Sequence, residues 1–236
     1  MRNYREMLLT VAVFGLLFTL IHAAVGVDTA KSVQCQNNLK QFGEALSMYR
    51  DDYDNFNCYA YIENYAYKGH RLTFLQMLAP YLGCTDLQGP FLRQYSNTAA
   101  KVNQLFICPE TVLEENRAEG GWRSSYMANA TYPETSKPHA CYFGGQGFGN
   151  PVRFDRIKNP AEVGAIFDRA SSRQRTDFCV SYHPKVTDAN VLKKTFPQRH
   201  NGKDNVVFFD GHVGTAAIQV PFNKWLPIFG LNGIRK

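Results

Sequence analysis

The sequence predicts an α+β chain: one long helix at the amino end, followed by a domain built on β-strands. Three observations predict it. A charge-free run over residues 7–27, MLLTVAVFGLLFTLIHAAVGV, passes without a proline into an amphipathic stretch that continues to Tyr53. Near the carboxyl end, NVVFF (205–209) and HVGTAAI (212–218) flank Asp210-Gly211, the pattern of two β-prone runs around a turn that demands positive φ. Between these, EVGAIFD (162–168) is an apolar run of the length of a buried strand.

The elements follow in order. Arg2 and Arg5 precede the charge-free run, and about 20 apolar residues suffice to cross a bilayer core of about 30 Å. Residues 1–27 are therefore expected to form a single-pass anchor in the inner membrane. The positive-inside bias keeps the amino terminus cytoplasmic and places residues 28–236 in the periplasm or at the cell surface. A cleaved signal peptide is the rival, because Ala24-Val25-Gly26 offers small residues where a signal peptidase reads. Either way the bulk of the chain is exported.

From Val33 onward Leu39, Phe42, Leu46 and Tyr49 recur at three- and four-residue steps, with Gln36, Lys40, Glu44 and Ser47 between them. This is a helix apolar on one side only. It is either continuous with the first stretch or separated by a break near Gly26, and it should end at Asp51, Asp52, Asp54 and Asn55, where the acidic groups oppose the helix dipole. RLTFLQMLAPYLG (71–83) reads as a short helix capped by Gly83, and QLFICPE (104–110) as a short strand halted by Pro109. Residues 120–151, rich in Gly, Pro, Ser and Asn, read as loop with brief strands.

The net charge of +6 is spread along the chain. Its densest cluster, RASSRQR at 169–175, reads as a solvated loop face, so no nucleic-acid partner is expected. The cysteines Cys35, Cys58, Cys84, Cys108, Cys141 and Cys179 include no CxxC pair and no zinc-like spacing. In an exported chain they are expected to form disulfides, with the pairing open. The aromatic stretch YAYIENYAY (59–67) reads as strand packing, or else as a ligand-binding surface.

Asp210 and Gly211 have a sufficient architectural reason in the hairpin turn, and His200 reads as a buried imidazole bonded to backbone or a carboxylate. A metal set of Asp168, His200, Asp210 and His212 is disfavoured, because 210 and 212 straddle a turn and too few oxygen ligands cluster there for calcium. No nucleophile elbow pairs a serine or cysteine with a histidine in a known context. The expectation is no catalytic residue, no metal and no cofactor.

Taken together, CQNNLKQFGEALSMYRDDYDN, LQMLAPYLG, LFICPE, SSYMANA, RIKNPAEVGAIFD and RHNGKDNVVFFDGHV resemble the bacterial prepilin-like proteins with a processing-associated H-x9-DG domain. The resemblance runs from Cys35 to Val213. It implies a fold like that of type II secretion pseudopilins and type IV pilins: a long helix, its first half in a membrane or filament core, packed by its second half on an antiparallel sheet. It makes His200, Asp210 and Gly211 the named motif. Cys35 and Cys108 match recurrent cysteines, a favoured bridge from helix to sheet, and Glu6 stands where pilins carry an acidic residue. The amino terminus departs from the pattern, lacking the leader that ends in glycine. The function implied is structural and non-enzymatic: a component of a type II secretion, type IV pilus-like or surface system, in the company of like or related pilin-like subunits. The alternative is an exported ligand- or glycan-binding module.

Overall fold

The structure is a computed structural model that describes residues 2–64, 70–84, 105–111, 124–130, 140–145, 150–169, 179–180, 196 and 198–217. Within these, the side chains of residues 2–3, 5–8, 18–28, 61–64, 70–72, 140–141, 144–145 and 179–180 lie outside the description.

Helix α1 is unbroken from Arg2–Asp52, about 75 Å at 1.5 Å per residue, and Gly26 does not interrupt it. Residues 9–17 are exposed. From Cys35 the helix turns one face inward: Leu39, Phe42, Leu46 and Tyr49 are buried, and Lys40, Glu44 and Ser47 are exposed. Past Asp52 the chain leaves helical geometry through Asp54 and Asn55, both at positive φ, while the Asn55 amide donates back to the Arg50 carbonyl. Asp and Asn tolerate that left-handed conformation better than other side-chain-bearing residues. Among the described residues no helix is long and apolar enough to cross a membrane; the charge-free run of the sequence includes residues 18–27, whose side chains are outside the description.

The main sheet holds five strands in the order β10-β9-β7-β3-β8. They are β3 (Tyr126–Asn129), β7 (Gly164–Asp168), β8 (Cys179–Val180), β9 (Asp204–Phe208) and β10 (Val213–Ala216). Four of them, β10-β9-β7-β3, pair antiparallel, and β8 joins β3 in parallel. A smaller sheet sets β1 (Tyr59–Asn64) against β2 (His70–Thr73) antiparallel and β5 (Gly144–Gly145) parallel; β4 (Ala140–Cys141) pairs with β6 (Asn150–Pro151). The expected loop with brief strands over 120–151 thus holds wherever it is described.

The helix expected at 71–83 starts later. Residues 70–73 belong to β2, then α2 (Phe74–Leu78) runs into a 3-10 turn over Ala79–Leu82. Gly83 closes it at φ +68, returning its amide to the carbonyls of Ala79 and Pro80.

The strand expected at 104–110 is not formed in its described part. Residues 105–111 are a chain of turns, and Phe106 is buried not in a sheet but against the Phe42 ring, 5.7 Å between centroids. Phe42 also meets Tyr126 edge-on at 5.4 Å and Phe74 at 6.4 Å, so one ring on α1 gathers the loop, β3 and α2 into a common core.

The β9–β10 hairpin forms, with a different turn. The Gly211 amide bonds the Phe208 carbonyl and the Phe208 amide bonds the His212 carbonyl, enclosing Phe209, Asp210 and Gly211. Only Gly211 of the three has positive φ, +92°. This is a type I turn closed by a left-handed glycine, in place of the two-residue turn the Asp-Gly pair predicts. The neighbouring 160–163 segment decides between them: Phe209 and Asp210 donate their amides to the carbonyls of Val163 and Pro160.

Candidate functional site

Behind the sheet's contact with α1, four segments converge. Helical periodicity points Cys35 inward one turn before Leu39. The turns of 105–111 present Cys108, held by Asn38 Nδ2 donating to the Ile107 carbonyl at 3.4 Å. Asp168 is the last residue of the wholly buried strand β7. His200 lies in the turn before β9, where its amide and carbonyl are both bonded to Lys203. Cys35, Cys108 and Asp168 are fully buried and His200 nearly so.

The ligand atoms of these four residues all lie within 4.8 Å of one another. Cys35 Sγ donates to Asp168 Oδ1 at 3.2 Å and lies 3.4 Å from the Tyr126 hydroxyl. Cys108 Sγ is 3.5 Å from His200 Nε2, and that same nitrogen is 3.0 Å from Asp168 Oδ2. On the far side of the ring, His200 Nδ1 is 3.1 Å from Glu110 Oε1, a close approach without the alignment of a hydrogen bond. Asp168 Oδ2 also accepts the Asn205 amide at 2.7 Å.

The electrostatics are those of a compressed polar core. Burial disfavours a charged His200, but the hydrogen bonds to Asp168 and Cys108 outweigh it and lift the imidazole to about 10. The Cys35 hydrogen bond, reinforced by His200, brings the Cys108 thiol down to about 6 against the effect of burial. Cys35 moves the other way, pushed up by the hydrogen bond with Cys108, by burial and by the Asp168 charge. Asp204, next to the cluster, is pushed up to about 8 by burial and by Asp168.

Cys108, His200 and Glu110 stand in the order of a thiol nucleophile, its base and the group that orients the base. Cys108 and His200 are both buried.

Several expectations are corrected here. Cys35, Cys58 and Cys108 are free thiols, and the favoured Cys35–Cys108 bridge is not formed: Cys35 Sγ engages Asp168 and Cys108 Sγ engages His200. The side chains of Cys141 and Cys179 lie outside the described residues, as does that of Glu6. The metal set splits. Asp168 and His200 belong to the cluster, but Asp210 and His212 do not. Asp210 Oδ1 accepts the His212 amide at 3.1 Å and lies 2.6 Å from its Nδ1, at the exposed tip of the hairpin, where the His212 ring stacks on Phe208. Arg169, expected on a solvated face, is buried; its amide bonds the Ser125 carbonyl.

The role of the two cysteines beside Asp168 and His200 escapes the sequence because zinc-like spacing within one or two segments is the only pattern a linear reading tests. The buried aspartate at the end of an all-apolar strand was the available signal.

Fold and cluster together define an α+β protein whose long helix meets an antiparallel sheet across a buried thiol, carboxylate and imidazole group. Residues 28–175 match the model of the family SBP_bac_10, described as "Protein of unknown function (DUF1559)". The match covers more than half of the chain, and the chain belongs to that family. It includes Cys35, Cys108 and Asp168 and ends before His200. No curated protein and no solved structure matches the chain.

Proposed function

We propose that this chain is a non-enzymatic structural subunit of the pseudopilin kind. The first half of α1 anchors it in the inner membrane, the domain lies on the outer side, and it assembles with like or related pilin-like subunits of a secretion, pilus-like or surface system. The observation that carries this reading is the change of character along α1. Leu9, Val11, Phe14 and Leu16 are each more than 60% exposed, whereas Leu39 and Phe42 on the same helix are fully buried. A helix apolar all round needs lipid or other apolar helices about it. The later half packs on the sheet, whereas residues 9–17 of the earlier half are exposed.

A photo-reactive residue placed at Phe14 in cells tests this. Adducts between copies, or with a related subunit, in the membrane fraction are the expected result. A soluble product beginning near Val27 would overturn the anchor, and a membrane-bound chain that never forms adducts would overturn assembly.

A further inference from the structure

We propose that Cys35, Cys108, Asp168 and His200 bind one zinc ion as a closed, structural site that fastens α1 to the sheet. Zinc bonds of about 2.0–2.3 Å to sulfur, nitrogen and oxygen place the ligands of a tetrahedron about 3.3–3.8 Å apart. The edges here are 3.2 Å from Cys35 Sγ to Asp168 Oδ1 and 3.5 Å from Cys108 Sγ to His200 Nε2, and all four ligand atoms lie within 4.8 Å of one another. An ion at the centre needs the four ligand atoms to adjust their spacing within that 4.8 Å span, with no change of fold.

Without an ion one position in the cluster, His200 Nε2, has more neighbours than hydrogens. His200 Nε2 carries at most one hydrogen, yet both Cys108 Sγ and Asp168 Oδ2 crowd it. A divalent cation turns all four groups into donors of lone pairs and removes the competition.

It also uses the neighbours as a zinc site does. With Nε2 on the metal, the imidazole proton sits on Nδ1, 3.1 Å from Glu110 Oε1, which has to swing into line to accept it. Asp168 ligates through Oδ1 and keeps Oδ2 for the Asn205 amide. Two thiolates with an imidazole and a carboxylate suit zinc better than calcium or magnesium, which take oxygen. Burial of all four ligands leaves no open position for water, so the site holds the fold together and performs no hydrolysis. The inference stands apart from the proposed subunit role, and neither depends on the other.

The test uses the full chain, purified without chelator from the fraction in which it accumulates. Elemental analysis should find about one zinc per chain. Cobalt exchange should give sulfur-to-cobalt charge-transfer absorption with the visible bands of a tetrahedral ion, and Cys108→Ser should abolish the former. Alkylation with peptide mapping should reach Cys35 and Cys108 only after chelation. Because Cys108→Ser removes a core group, Glu110→Gln is the gentler probe: it leaves every ligand in place and should weaken zinc binding about 10–100-fold. A Cys35–Cys108 disulfide in metal-free protein overturns the proposal. So do two reduced thiols that take up neither zinc nor cobalt, and so does zinc binding unchanged in both variants.

Discussion

At Gly43 α1 packs tightly against β9 and the hairpin turn, and replacing it with alanine separates packing from helix propensity. A Cβ there would stand 2.8 Å from Val207 Cγ2, 3.1 Å from the Gly211 carbonyl oxygen and 3.4 Å from Gly211 Cα. Val207 is fully buried in β9 and β-branched, so its methyl has no free rotamer to retreat to, and the Gly211 contacts are backbone. In an open helix the change would stabilise by about 1 kcal/mol. Overpacking of this kind costs about 1–3 kcal/mol, so we expect a net loss of about 1 kcal/mol. In a Val207→Ala background the 2.8 Å contact disappears. There Gly43→Ala should become neutral or stabilising, a coupling of about 1 kcal/mol. Gly15, on the same helix with nothing within 4 Å, is the control. Urea unfolding of the four variants, followed by near-ultraviolet circular dichroism, reads the cycle. If Gly43→Ala stabilises equally in both backgrounds, the helix does not press on the hairpin turn as described.

At the turn itself, Gly211→Val should destabilise by about 1–2 kcal/mol through its backbone alone, since φ is +92° and a Cβ would meet no atom within 4 Å. Asp210→Asn should fall within about 0.5 kcal/mol of wild type, because an amide oxygen still accepts the His212 amide at this exposed site; thermal melts of the two variants check both, and a large loss in Asp210→Asn would mean that the charge matters. Arg50 is buried at the end of α1, donating Nε to Asn57 Oδ1 and Nη1 to the Phe209 carbonyl at 2.9 Å each, with its guanidinium over the Phe154 ring. Arg50→Lys keeps the charge but not the planar fork, so chemical denaturation should show a loss of about 1–3 kcal/mol; no measurable change would show that the fork is not what ties the helix end to the turn.

What could be read from the sequence was what depends on neighbours along the chain. The three- and four-residue spacing of Leu39, Phe42, Leu46 and Tyr49 predicts a face, and that face is buried. The apolar run ending at Asp168 predicts a buried strand, and β7 is buried throughout. The pair of β-prone runs around Asp210-Gly211 predicts a hairpin, and β9 and β10 make one. The same local logic failed where an outside contact outweighed it. Leu105-Phe106-Ile107 has strand-like residues, but the Phe42 ring takes Phe106 into the core from a turn. The two-residue turn gave way to a three-residue one because Val163 and Pro160 offer carbonyls to Phe209 and Asp210.

The sequence singled out the four residues of the cluster only in separate pairs, Asp168 with His200 and Cys35 with Cys108, and did not bring them together. Cys35 meets Asp168 across 133 positions and Cys108 meets His200 across 92, separations that carry no period and no motif. Those residues become neighbours only when β7 pairs with both β3 and β9 and the buried face of α1 closes over them. Periodicity is a property of one segment's own geometry, so the chain determines its elements and their apolar faces locally. Which polar groups then share the small space between elements is set by strand order and by the depth at which the helix docks, and these exist only in the assembled fold.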